Sequence, residues 1–171
     1  MLSIVRATAV ALASLALMPA FARAHIVADP SESSAGGYLR AAFRIAHGCK
    51  GSATTAVTIR IPEGVLSTKP MPKPGWTIEI RTRPLDPPVE AGHGAKLHEA
   101  VSEVTWRGGQ LDDAHFDEFV LAMRLPDRPG ESLYFPTVQT CERGIHNWRG
   151  VPAAGQKWSD LPEPAPFVRL K

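Results

Sequence analysis

This chain of 171 residues lacks most of the short motifs that announce a chemistry. It contains no G-x-S-x-G elbow, no H-E-x-x-H, no G-x-x-x-x-G-K-[ST] phosphate loop and no G-x-G-x-x-G. Serine-hydrolase, zinc-peptidase and nucleotide-binding sites of those designs therefore have no support. Aromatic residues make up only 7% of the chain and form no cluster outside the core pattern described below, which leaves no flat aromatic face for a polymeric substrate. Neither sign of charge dominates. Of the 19 basic residues Arg6 and Arg23 precede position 25, leaving 17 against 17 acidic ones. A nucleic-acid partner, which calls for a basic face, is not expected. Sustained helical periodicity and internal repeats are absent as well.

What is present begins at the N-terminus. Arg6, an apolar run from Ala7 to Leu17, Met18-Pro19 and the exit Ala22-Arg23-Ala24 have the basic, apolar and A-x-A parts of a cleaved signal peptide. The run falls short of the ~20 residues of a membrane span, and no later stretch is long and apolar enough to be one. Residues 1–24 are thus expected to be removed on export to the periplasm. The remaining 147 residues suffice for one domain with its own core.

Short alternating runs separated by Gly, Pro and Asp predict an all-β fold. Leu39, Ala41, Phe43 and Ile45 alternate with polar or small neighbours, as do Val57, Ile59 and Ile61, then Trp76, Ile78 and Ile80, and finally Phe119, Leu121, Met123 and Leu125. Each run offers one apolar face, as strands of an antiparallel sandwich do. The parity slips between Val101 and Trp106, which predicts a bulge near Ser102-Glu103. Turns are expected at Pro62-Glu63-Gly64, Pro74-Gly75, Gly108-Gly109 and Pro126–Gly130. The segment from Pro84 to Gly94 reads as a mobile loop, and residues 153–171, with Pro162, Pro164 and Pro166, as a Pro-rich extended tail. An immunoglobulin-like or cupredoxin-like sandwich of about seven strands over residues 25–152 accounts for the pattern. Cys49 and Cys141, an even pair in an oxidising compartment, are expected to form a disulfide closing 91 residues, worth roughly 4–5 kcal/mol of chain entropy. The rival reading is a thiolate pair on Cu(I), against which stand the compartment and the absence of C-x-x-C.

Cleavage after Ala24 makes His25 the first residue. Its α-amine and ring Nδ1 can then close a six-membered chelate on one ion. With reference pKa values of about 7.7–8.0 for an α-amine and about 6.5 for imidazole, both are nitrogen donors of the kind Cu(II) prefers. The alternative is a histidine that merely follows the cleavage site. Two nitrogens do not complete a site, so another donor is needed. Candidates are His47 in Ala46-His47-Gly48-Cys49, His115, Asp117 and Glu118 at a strand start, and His146 in His146-Asn147-Trp148. Glu118 lies on the face opposite Phe119, Leu121 and Met123. It is either a ligand or a solvated carboxylate. His93 and His98 flank the expected loop. Trp76 and Trp106 belong to strand patterns, whereas Trp148 either shields a metal or packs in the core.

Taken together, His25-Ile26-Val27, Phe43–Cys49 with Gly51–Thr55, Pro70–Trp76, Glu103–Trp106, Asp117-Glu118-Phe119, Leu133–Pro136 and Cys141–Trp148 resemble the YcnI-like family of exported copper-binding domains, particularly its proteobacterial branch. The resemblance covers nearly the whole chain from His25 onward. It implies a β-sandwich with a solvent-accessible mononuclear Cu(II) site built on the N-terminal histidine, assisted by a glutamate beside a tryptophan. By position His25 matches the brace, Glu118 the glutamate and Trp148 the tryptophan. His47 joins them as a candidate ligand, with His146 and Asp117 as neighbours. His47 and the cysteine pair depart from the simplest family pattern and leave open whether a second histidine replaces or supplements the carboxylate. The implied role is copper delivery, buffering or homeostasis without turnover, with copper, a membrane copper transporter or another periplasmic copper chaperone as partners. The alternatives are a metal-free structural or interaction sandwich, and a copper-dependent oxidative enzyme.

Overall fold

The structure, a computed structural model, describes residues 25–92 and 95–171; the expected signal segment 1–24 and His93 lie outside the described residues. Twelve strands occur among the described residues, against the expected seven or so, because several connections also pair. In chain order they are β1 Val27–Asp29, β2 Glu32–Ser33, β3 Tyr38–Ile45, β4 Thr54–Arg60, β5 Leu66–Pro70 and β6 Thr77–Gly92, followed by β7 Ala95–Leu111, β8 Asp117–Arg124, β9 Ser132–Tyr134, β10 Thr137–Cys141, β11 Ile145–Trp148 and β12 Phe167–Leu170. A single 3-10 turn spans Trp158–Asp160. Among the described residues no helix is long and apolar enough to cross a membrane.

The strands form a four-stranded sheet in the order β1-β3-β8-β5, a five-stranded sheet β11-β10-β4-β7-β6 and a small sheet β2-β12-β9. The fold is an all-β immunoglobulin-like sandwich. Alternation dictates its core: Leu39, Ala41, Phe43 and Ile45 turn inward from β3, and Phe119, Leu121 and Met123 from β8. Val57 and Ile59 on β4 and Val104 and Trp106 on β7 come from the facing sheet. Aromatic edges lock the two layers, with Trp106 against Phe119 at 5.5 Å between ring centres and Phe43 against Phe135 at 5.2 Å. The expected bulge falls at Ser102, which is skipped where Arg81 pairs with Glu103 and Thr82 with Val101.

Three expectations are corrected. Of the loop expected from Pro84 to Gly94, residues 84–92 are not a loop but continue β6, which pairs with β7 along its length, and residues 93 and 94 lie outside the described residues. The exposed ribbon has no core face to impose an apolar alternation, and its prolines break the ladder between Pro84 and Val89. Gly108-Gly109 is not a turn but lies inside β7. Gly109 is required because the Trp76 ring lies on its backbone, where a Cβ would come within 2.2 Å of Cε2. The Pro-rich segment folds back on the domain, burying Ala165, Val168 and Leu170 and pairing β12 with both β2 and β9. Its last residue, Lys171, bonds Glu32 and holds that carboxyl below the usual carboxylate range.

Candidate metal centre

Trp148 is the hub of the site. It ends β11, the edge strand of the five-stranded sheet, and is buried although its neighbours His146 and Asn147 are half-exposed. Three imidazoles surround it, those of His146, His25 and His47, with ring centres 5.2, 6.1 and 6.2 Å from the indole. Each arrives from a different element. His25 precedes β1, the edge of the four-stranded sheet, and is anchored by the buried Ile26. His47 follows the end of β3. His146 lies on β11, opposite Gln139 of β10. The site thus draws on residues next to or on β1 and β11, the edge strands of the two sheets.

The path from β3 through His47 is held rigidly. The Cys49–Cys141 disulfide ties it to β10, with Cα atoms 5.9 Å apart. Gly48 fits only because it has no Cβ, which would lie 1.9 Å from the Ser52 carbonyl oxygen; its N–H donates to Asp113 Oδ1 at 2.9 Å. His47 Nδ1 lies 2.6 Å from the Gly48 carbonyl oxygen. A carbonyl only accepts, so Nδ1 carries the proton and Nε2 is the basic nitrogen of the neutral ring.

Gln139, 1% exposed, links this path to Trp148. The indole Nε1–H donates to its Oε1 at 3.1 Å, while its Nε2 donates to the His47 carbonyl at 2.6 Å and to Thr54 Oγ1 at 2.8 Å. Indole nitrogen is a donor only, which fixes the orientation of the amide.

Two contributors come from the C-terminal segment, and neither was singled out from the sequence. Trp158 meets the His25 ring edge-on, with centres 5.0 Å apart, and donates its own N–H to the Ala165 carbonyl at 2.7 Å. Glu163 Oε1 accepts from His146 Nδ1 at 2.7 Å, and its Oε2 accepts the Asn147 N–H at 3.0 Å. Phe167, Val168 and Leu170 were the signal that this segment packs. Nothing local marks Glu163 itself.

The remaining candidates stand elsewhere. In the row Val27, Arg44, Glu118 across β1, β3 and β8, Glu118 is two strands from β1, about 10 Å away at the usual strand spacing. Asp117 accepts from Lys73 Nζ at 2.7 Å. His115 and His98 are exposed. Among the described residues no three His, Cys, Asp or Glu side chains already converge on one point. The imidazoles are donors ranged around an indole, and a set rich in nitrogen suits copper, nickel or zinc.

Residues 25–170 match the family described as "Domain of unknown function (DUF1775)". The chain belongs to this family. Membership agrees with the YcnI-like resemblance, and the DUF1775 match runs through the Pro-rich segment as well as the sandwich. A curated relative, the copper-binding protein CutI of Bacillus subtilis (strain 168), is 24% identical over 139 residues. That alignment takes in 80% of this chain and 61% of CutI, so the chain spans about three-fifths of the relative's length. A solved structure, an uncharacterised protein from Nocardia farcinica with an immunoglobulin-like fold, is 28% identical with a TM-score of 0.64. It is matched over 85% of this chain and 97% of its own.

Proposed function

We propose that this DUF1775 chain binds one copper(II) ion at a mature N-terminus beginning with His25, and buffers or hands on that ion in the periplasm without turnover. The observation that carries the reading is the approach of both His25 and His47 to Trp148 at the edge of the sandwich, with ring centres 6.1 and 6.2 Å from the indole. The family match beginning at His25 and the copper-binding name of the Bacillus subtilis relative support it.

His25 supplies two donors, its α-amine and ring Nδ1, and His47 supplies Nε2, the nitrogen left basic by the bond to the Gly48 carbonyl. Copper(II) prefers such nitrogen-rich tetragonal sets. Because no three such donor side chains converge on one point among the described residues, the reading requires these side chains to rotate on binding. Trp148 and Trp158 both pack against the His25 ring, whose Nε2 is buried, while His25 and His47 as whole residues are half-exposed, which leaves the site open to a partner. A membrane copper transporter or another copper chaperone is the partner class that fits.

Copper(II) titration of protein verified to begin at His25 tests this directly. One equivalent should bind tightly, and His47→Gln should weaken it at least ~10-fold while leaving the apo-protein's melting temperature nearly unchanged. Unaltered affinity in His47→Gln would remove His47 from the site.

A further inference from the structure

We infer that His146 is a third imidazole ligand of this copper site, and that Glu163, carried in by the C-terminal segment, is the residue that positions it. The inference rests on the copper reading above. Its basis is the His146–Glu163 pair. The ring nitrogen Nδ1 stands 2.7 Å from carboxylate Oε1, so an ionised Glu163 takes the Nδ1–H and leaves Nε2 with the lone pair. Metal-ligating histidines are oriented in this way, one ring nitrogen donating to a carboxylate while the other faces the ion.

Glu163 is itself held by main chain. Its Oε2 accepts the Asn147 N–H at 3.0 Å, and its backbone carbonyl accepts from the N–H groups of Arg149 at 3.1 Å and Gly150 at 2.9 Å. Residues 147–150 therefore wrap the glutamate, and flanking Pro162 and Pro164 restrict its backbone. The His146 ring in turn lies 5.9 Å from the His47 ring and 5.2 Å from Trp148. Two imidazoles that share one ion through bonds of ~2 Å have ring centres within about 6 Å of each other. His47 and His146 meet that condition.

The His146–Glu163 pair is half-buried, with side chains 25% and 36% exposed. Its consequence is to fix which nitrogen of His146 is basic and where the ring stands. Residues 153–171 thus serve the site twice, through Trp158 beside His25 and through Glu163 behind His146.

Pulsed electron paramagnetic resonance of the copper(II)-loaded chain beginning at His25 tests the inference, with direct copper titration and apo-protein melting run alongside. Relative to the unmodified protein, His146→Gln should lose one imidazole coupling and bind at least ~10-fold more weakly. Glu163→Gln should keep every imidazole coupling but shift the quadrupole signal of one remote ring nitrogen, the one that donates to the carboxylate. Its affinity should fall ~10–100-fold, and Glu163→Asp, which keeps the charge, should recover part of the loss. Copper spectra and affinities in His146→Gln equal to those of the unmodified protein would overturn the inference while leaving the copper reading intact. An unshifted remote nitrogen in Glu163→Gln would remove the positioning role. Absence of tight copper binding by the unmodified protein would overturn both readings.

Discussion

Gln139 joins the buried interior to the site through one side chain. Its amide spans the Trp148 indole, the His47 carbonyl and Thr54 in a place with no access to water. Replacing it with leucine keeps the volume and strands two or three polar groups, each costing about 1–3 kcal/mol when buried without a partner. Gln139→Leu should therefore lose ~2–4 kcal/mol in urea unfolding and weaken copper binding. Unchanged unfolding would show that the network carries no energy. At this scale the sequence reveals residues whose chemistry is unusual by type or place: His25 at the expected cleavage point, His47 beside a cysteine, Trp148 beside His146. It conceals residues whose meaning lies in a distant partner. Gln139 reaches back 92 positions to His47, and Glu163 lies between prolines in a stretch without pattern. For Glu118, strand parity gives the outward face correctly but cannot say that β3 stands between it and β1.

Strands were legible wherever one face meets the core. The inward residues of β3 and β8 follow the alternation almost position by position, with the small Ala42 and Val120 buried besides. The pattern fails where neither face is buried. The outer part of the β6–β7 ribbon, beyond Pro84 and Glu99, shows this: its characterised side chains are exposed or half-exposed, as far as Lys96–Glu99 on the return strand. Arg83, just inside that limit, anchors the ribbon by donating to the carbonyls of Ile61, Pro62 and Val101. Replacing residues 85–98 with an Asn-Gly turn, which closes a two-residue hairpin, removes only this outer part. Thermal unfolding should shift by no more than ~1 kcal/mol, and copper affinity should be unchanged. A larger loss in either measurement would show that the ribbon supports the sandwich or the site.

At the scale of the molecule His25, His47 and His146 gather around Trp148, next to the edge strands β1 and β11 of the two sheets. The C-terminal segment adds β12 to a third, small sheet and brings Trp158 and Glu163 against the imidazoles. The Cys49–Cys141 disulfide fastens the end of β3 to β10 beside the same place. The sandwich class was legible from alternation and turn spacing. The third sheet was not, because β2 and β9 are two and three residues long and carry no period. If the site depends on the first amine as proposed, its most sensitive probe is the N-terminus itself. Electron paramagnetic resonance of copper(II) bound to protein beginning at His25, compared with protein carrying one extra residue ahead of it, measures that dependence. The account predicts a single tight copper with nitrogen hyperfine structure in the first sample and a changed spectrum with strongly weakened binding in the second. Identical spectra and affinities would contradict it, and would move the copper to His47 and His146 alone.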